Sequence, residues 1–505
     1  MTRHLLGCAC ITGVLLALAG PSFSLGPLVF VAWLPLMGGL LRAWRQSSLT
    51  WSYAFLAGFC AGIPLYFSLT GWFLQHHIGI GLFLVLGLSI PLGLAAMGVR
   101  LGLCKRLRGS QLVLWITCVW TCMEILMGAT AWLPACASGY ALWHVPLLIQ
   151  SADLAGVWGI SLWIVAVNAL GACLWIEGLR SCRMGLLGVS GLSLVILGYG
   201  IWRPIQLQAT DSEKETMQVA LIQSAVDTEG KTERASIDSA LQVLVQQTQC
   251  IVEASPHTVD LVVWPETSVP VLLRSVDEQA TLAMLVETAR QTQVPMLVGA
   301  LAQTEDMKVE NAVVYNAAFL VPPDGFMAQE YHKRSLVPFY EVFLTPGHDR
   351  GLFRLANGET MGVVICWEAL SDAEGAQLVK EGASFLVNIT NDDAAFRSFS
   401  WAYRIPLPHA VFRAVETRRP FLRCANRGLS LAIDFLGRRG TTLVWSQETA
   451  ALVSVVPHDG QTIFVRVGRI PRVLLVAATG LWGLMLLGRG RKDRIVRTAP
   501  TQTHA

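Results

Sequence analysis

Charge is scarce in this chain. Asp, Glu, Lys and Arg make up only 14% of its 505 residues, against 53% hydrophobic residues, a balance that excludes an ordinary soluble protein of this size. Carboxylates are rarest near the start. Residues 1–202 hold Glu124, Asp153 and Glu177 as their acidic residues beside nine basic ones, so hydrocarbon is the expected solvent for most of that stretch. No His or Cys cluster has the spacing of a zinc site, and neither a metal nor a nucleotide cofactor nor a nucleic-acid partner is expected. Gly185, Gly188 and Gly191 follow no strand, which argues against a nucleotide loop and for a small-residue helix contact.

What the chain has instead is long apolar runs. A span needs about 20 predominantly apolar residues. Seven runs precede a charged middle segment, at roughly 5–20, 26–43, 52–74, 79–99, 112–134, 157–179 and 184–202, and an eighth, about 470–488, follows it. The loops after the second, fourth and sixth runs carry Arg42 and Arg45; Arg100, Lys105, Arg106 and Arg108; and Arg180 and Arg183, whereas those after the first, third and fifth carry no Lys or Arg. The positive-inside rule then predicts cytoplasmic termini and an extracytoplasmic middle segment. Arg3 and the small-residue pattern Ala17-Leu18-Ala19 also admit a signal peptide in place of the first span. The expected organisation is a membrane domain (1–202, transmembrane helices 1–7), an extracytoplasmic domain (203–468), and an eighth helix with a basic cytoplasmic tail (469–505). Glu124 lies well inside an apolar run and admits either a functional role or a hydrogen-bonded packing role.

Residues 203–468 carry 22 basic and 31 acidic residues, the charge density of a water-exposed domain. Short aliphatic and β-branched runs at 218–223, 260–264, 295–300, 311–321, 361–366, 384–390, 421–425 and 429–435 read as strands. Helices are expected at about 236–253, 277–291, 371–381 and 402–419, which together give a layered α/β domain. Nine of the twelve cysteines lie in or beside the apolar runs and read as small packing residues. The middle segment holds Cys250, Cys366 and Cys424, an odd number, which leaves pairing between Cys250 and Cys424 open.

Three strand-end positions attract the chemistry. Glu266 ends Val262-Val263-Trp264-Pro265-Glu266, where Pro265 stops the ladder. Lys333 begins a Pro-containing loop, and Cys366 ends Met361-Gly362-Val363-Val364-Ile365-Cys366. Each is unremarkable alone. Together they matter because a thiol of ordinary pKa about 8.5 is mostly protonated at neutral pH and needs a base or a nearby cation to become a nucleophile.

These residues carry a resemblance. The segments 264–267 (WPET), 333–341 (KRSLVPFYE), 362–368 (GVVICWE) and 413–428 (RAVETRRPFLRCANRG) resemble the nitrilase, or carbon–nitrogen hydrolase, superfamily, with its Glu-Lys-Cys triad in an αββα sandwich. With eight spans around that domain, the chain as a whole is similar to the apolipoprotein N-acyltransferase family of the bacterial inner membrane. The resemblance implies a polytopic α-helical membrane protein with an inserted nitrilase-like domain, acting as a monomer in the bilayer. It implies a ping-pong reaction: Cys366 attacks the acyl ester of a phospholipid with Glu266 as base and Lys333 stabilising the oxyanion, and the thioester then acylates the α-amino group of a diacylglyceryl-cysteine on an apolipoprotein. It further implies supporting roles for Glu341 near Lys333, for Glu368, and for the backbone N–H of Trp367. Leu336–Leu344 and Phe396–Phe412 are candidates for membrane-dipping lids. The sequence departs from the family's usual pattern at Trp367, at Asp393-Ala394-Ala395-Phe396 and at Arg427. A membrane-tethered amidase with the same triad and a non-catalytic ligand-binding membrane protein are the alternatives.

Overall fold

The computed structural model describes residues 2–129, 137–211, 215–225, 234–255, 257–303, 313–325, 327, 329–396, 399–443 and 447–496. The chain divides into two compact units. One comprises Met1–Ala141, Trp158–Ile196 and Arg469–Ala505, and the other Leu142–Val157 with Leu197–Gly468.

The apolar runs fold as helices: α1 (Thr2–Ala19), α2 (Leu34–Arg45), α3 (Trp51–Thr70), α4 (Ile78–Cys104), α5 (Gly109–Gly128), α6 (Ala152–Glu177) and α7 (Leu179–Asp211), with a last one at Ile470–Val496. Among the described residues, seven helical stretches are long and apolar enough to cross a membrane, six before the α/β domain and one, Ile470–Gly488, after it. The expected eighth is the first. Its apolar stretch Arg3–Ala19 falls in a shorter class, about 26 Å at 1.5 Å per residue against about 30 Å of hydrocarbon. Seven membrane-length helices are present among the described residues, and the eighth expected span, α1, is not confirmed. The part of the fifth expected run at 130–134 lies outside the described residues, as does Cys136.

Small residues let these helices approach closely. A side chain at Gly58 of α3 would collide with the Leu92 carbonyl of α4, and one at Gly93 of α4 would meet the Phe55 ring at 2.7 Å. The expected glycine contact on α7 is confined to Gly185, whose N–H donates to Ser110 Oγ at 2.8 Å; side chains at Gly188 and Gly191 would meet nothing within 4 Å. Glu124 is a packing residue. It accepts from the Ser138 N–H at 3.0 Å and from Ser138 Oγ at 2.5 Å, so its buried charge-bearing group is hydrogen-bonded as burial demands.

In the other unit, two β-sheets pack face to face between helices. The strands are β1 (Met217–Gln223), β2 (Leu261–Val263), β3 (Val269–Leu272), β4 (Met296–Gln303), β5 (Val314–Val321), β6 (Glu330–His332), β7 (Leu352–Arg354), β8 (Thr360–Ile365), β9 (Phe385–Thr390), β10 (Phe421–Ala425), β11 (Ser430–Ile433), β12 (Arg439–Leu443) and β13 (Thr449–Val455). One sheet runs β13-β1-β2-β4-β5-β6, with β3 also on β4, and the other β12-β11-β10-β9-β8-β7. Alternation along the strands makes two cores. Val219, Leu221 and Val263 meet Val363, Ile365, Val387 and Leu422 between the sheets, while Ala220, Ile222, Val262 and Trp264 face α8 (Arg234–Ala254) and α9 (Gln279–Thr292). Against the second sheet lie α10 (Asp372–Lys380) and α11 (Leu407–Thr417). This is the expected αββα sandwich.

Each sheet has a parallel centre, β1-β2-β4 in one and β8-β9-β10 in the other. Loops at the carboxyl ends of parallel strands are where α/β folds place ligands. The strands absent from the sequence expectations are β3, β6, β7, β12 and β13; three of these have only three or four residues. The segment Phe396–Phe412, expected as a lid, is largely interior: Phe396, Tyr403 and Phe412 are buried. Arg397 of that segment lies outside the described residues.

Candidate active site

The site grows from strand ends. β2 stops before Pro265, which has no N–H to donate, and the chain turns at Thr267 with φ 48°. Glu266 is thereby buried, 4% exposed. Its Oε1 accepts from Asn316 Nδ2 at 2.7 Å and from Lys333 Nζ at 3.1 Å. Its Oε2 accepts the Asn391 N–H at 2.7 Å, from the end of β9 in the other sheet.

Lys333 follows β6, and its own N–H donates to the Asn316 carbonyl at 2.8 Å. Its side chain is fully buried. A lone buried ammonium would be costly, but Nζ is shared between Glu266 and Glu341, the latter at 2.9 Å. Burial works to lower the lysine pKa, and the charges of Glu266, Cys366 and Glu341 outweigh it, holding the group above its ordinary value. Glu341 is held in turn, its Oε2 accepting the Val337 N–H at 2.7 Å.

Cys366 opens a helical turn, Cys366–Leu370, directly after β8. Its φ is 51°, a left-handed conformation that costs a residue with a Cβ about 1–3 kcal/mol and persists only where the surroundings over-determine it. Here the Ile365 N–H donates to Glu368 Oε2 at 2.7 Å, and Asn388 Nδ2 donates to the Cys366 carbonyl at 3.4 Å. Burial first, then the Glu266 charge, push the thiol up to about 12, against the opposing pull of Lys333; Glu341 pushes further up and a hydrogen bond with Thr390 pulls down. At rest the thiol is protonated, and it needs the base beside it.

Glu368 does not continue an extended strand beside the thiol, because the chain coils after Cys366. Buried at 1% exposure, it also accepts from Tyr331 Oη at 2.7 Å and from the N–H groups of Arg334 and Ser335 at 2.7 and 3.1 Å. It thus ties the segment carrying Lys333 to the turn carrying Cys366. Trp367 occupies the second position of that turn, half-buried. Cys250 is exposed and Cys424 is buried, both as free thiols, so they form no disulfide.

Sequence reasoning missed Asn316, which donates one amide group to both Glu266 and Glu341, at 2.7 and 3.1 Å. It missed as well the buried Arg423, whose Nη2 lies 2.6 Å from both Asp392 oxygens and whose Nη1 donates to Asn388 Oδ1 at 2.7 Å. The available signal was a polar residue inside an otherwise apolar strand, in VYNAAFLV and FLRCA, since a buried polar group must find partners.

Comparison with known proteins follows the same division of the chain. Residues 218–463 match the carbon–nitrogen hydrolase family, and residues 12–170 match the apolipoprotein N-acyltransferase N-terminal domain. The apolipoprotein N-acyltransferase of Geobacter metallireducens is 28% identical over 502 residues, spanning 92% of this chain and 91% of that protein. Those of Chlorobaculum tepidum and Sinorhizobium medicae are each 27% identical, over 360 and 481 residues, spanning 63% and 85% of this chain and 66% and 85% of theirs. Both parts of the chain are thus similar to the apolipoprotein N-acyltransferases. Its apolar helices and these relatives mark a bacterial membrane protein and an acyltransferase, with a carbon–nitrogen hydrolase domain at residues 218–463.

Within the apolipoprotein N-acyltransferase framework, two departures from the usual pattern lie against each other. Arg427 Nη1 is 3.3 Å from Asp393 Oδ1, so the unusual base and the unusual acid form a pair at the ends of β10 and β9. The phenol of Tyr340 is held above its ordinary pKa by desolvation first and then by the charges of Glu266, Glu341, Cys366 and Asp393, which places it among the charges at the site.

Proposed function

We propose that the protein transfers an acyl chain from a phospholipid to the N-terminal α-amino group of a diacylglyceryl-cysteine on an apolipoprotein, through a thioester on Cys366. The observation that carries this reading is a thiol on a strained strand end beside a buried Glu-Lys pair, in a chain with seven membrane-length helices.

Glu266 takes the thiol proton, and the thiolate attacks the ester carbonyl. Lys333 Nζ and the Trp367 N–H stabilise the oxyanion; the leaving alkoxide takes the proton from Glu266 as the lysophospholipid departs. In the second half the free amine attacks the thioester carbon, Glu266 accepts its proton, and the amide leaves as that proton returns to Cys366. A thiolate is a better leaving group from the tetrahedral intermediate than an alkoxide, so the thioester is a better donor to an amine than the starting ester. Glu341 and Asn316 keep Lys333 and Glu266 in place, and Glu368 fixes the turn.

The chain is organised as a membrane domain at 1–202, an extracytoplasmic catalytic domain at 203–468, and a helix with a basic cytoplasmic tail at 469–505. Both termini lie in the cytoplasm of the inner membrane, an orientation in which the short α1 crosses as an eighth span. The alternation of Lys and Arg between loops supports that orientation. The protein works as a monomer and needs no metal or nucleotide.

The test is conversion of a diacylated lipopeptide to its triacylated form by purified protein in phospholipid vesicles. Wild type converts it, and Cys366→Ala, Glu266→Gln and Lys333→Met do not. Conversion undiminished in Cys366→Ala contradicts the reading, and turnover of small soluble amides without lipid points to an amidase.

A further inference from the structure

The nucleophile has a second polar neighbour at the end of β9. Parallel pairing sets Ile365 of β8 beside Ile389 of β9, so the next residues along, Cys366 and Thr390, come together. Thr390 is buried, 1% exposed, and the register sets its hydroxyl near enough to Cys366 to lower the thiol pKa. The same oxygen lies 3.1 Å from Asp392 Oδ1 and donates to it. A hydroxyl carries one proton, so it cannot donate to the sulfur and to the carboxylate at once.

Arg423 resolves the competition. It pairs with both Asp392 oxygens at 2.6 Å and is itself pinned by Asn388. Asp392 therefore keeps two charge-assisted bonds when the hydroxyl turns away. With the thiol protonated, S–H donates to Thr390 and Thr390 donates to Asp392. Once Glu266 has removed the thiol proton, the sulfur is the stronger claimant on the hydroxyl.

We propose that Thr390 is a rotating donor to the Cys366 sulfur, released from Asp392 by Arg423, which stabilises the thiolate each time it forms or leaves. No proton changes hands at Thr390. Its O–H bond turns from carboxylate to sulfur and back, once when the thiolate attacks the ester and once when the amine expels it. The inference rests on Cys366 being the nucleophile. Other groups bear on the same sulfur: Glu266, Lys333 and Glu341 across the site, Tyr340 at its edge, Glu368 in its own turn, and Asp392 with Arg423 behind Thr390.

The experiment follows alkylation of Cys366 by iodoacetamide across pH in the full-length protein, with the modified peptide quantified by mass spectrometry. Thr390→Val keeps the shape and removes the hydroxyl, whereas Thr390→Ser keeps the hydroxyl. A hydrogen bond to a charged group is worth enough to slow alkylation about tenfold or more when lost. We expect T390V to show that loss, with its profile moved to higher pH, and T390S to follow wild type. In lipopeptide acylation T390V lowers kcat with little change in KM.

A T390V profile superimposed on wild type overturns the proposal, as does T390S losing as much as T390V, which would mark a packing role. If T390V does not purify folded, Thr390→Ala takes its place and the comparison with T390S decides. Alkylation is read without lipid or acceptor, so failure of wild type to form an acyl-enzyme counts against the proposed function and leaves this comparison intact.

Discussion

Glu266 and Glu341 share one ammonium and one amide, and the arrangement sets what each residue can do. Lys333 satisfies two carboxylates, which leaves the cluster one negative charge in excess while the thiol keeps its proton. That excess, with burial, holds the Cys366 proton. Between the ordinary thiol value of 9.0 and about 12 the folded protein retains a proton that the unfolded chain has released. The folded state then binds more protons, so stability contributed at this residue falls as pH rises through that window. Thermal midpoints of wild type should drop relative to Cys366→Ser as pH increases above 9.0. Asn316→Leu removes both amide contacts and leaves two buried acceptors short of a donor, at a cost of about 1–3 kcal/mol each. We expect slower acyl-enzyme formation and a lower thermal midpoint, with Asn316→Asp, which adds a third carboxylate, worse than Asn316→Leu in activity.

At the scale of elements, two segments of the unit that holds the site behave oppositely. The loop after Lys333 is apolar and exposed: Phe339 and Tyr340 are 43% and 39% exposed, and Val342 and Phe343 are 80% and 73% exposed. These side chains contribute little to folding, so Val342→Glu with Phe343→Glu should leave stability within about 0.5 kcal/mol per substitution. Acylation from vesicle phospholipid should fall while acyl-enzyme formation from a short soluble ester persists. Equal loss on both donors would remove the lipid-contact role from this loop. By contrast, Asp153 is buried and gathers Arg418 Nη2 at 2.9 Å, Arg203 Nε at 3.0 Å and Tyr199 Oη at 2.9 Å. The start of α6 and the end of α7 are thereby tied to the loop after α11. Asp153→Asn breaks a buried pair and should cost about 3–5 kcal/mol, visible as a large fall in thermal midpoint with little change in the pH profile of the surviving enzyme.

Across the whole molecule, the sequence was most legible where one residue type dominates. Apolar runs located the membrane-length helices, with the end of α7 at Asp211 lying well past the expected 202, and they did not separate the short α1 from a span because the two look alike without a length test. Long buried strands such as β1, β8 and β9 announced themselves, whereas β6 and β7, with three residues each, carry too little pattern to stand apart from loops. Glu266 and Cys366 were readable because each follows a strand that visibly stops, and Lys333 because it opens a Pro-containing loop. Asn316, Thr390 and Arg423 were not, because their meaning depends on register between strands far apart in sequence: Asn316 lies opposite Leu301, and Arg423 beside Asn388. The central claim is that Cys366 carries the acyl chain between two lipid substrates. The direct measurement is the mass of the Cys366 peptide after the purified protein meets phospholipid alone, followed by a chase with diacylated lipopeptide. The account predicts a gain of one acyl chain on Cys366 that disappears as triacylated lipopeptide appears; an unmodified Cys366 throughout productive turnover would contradict it.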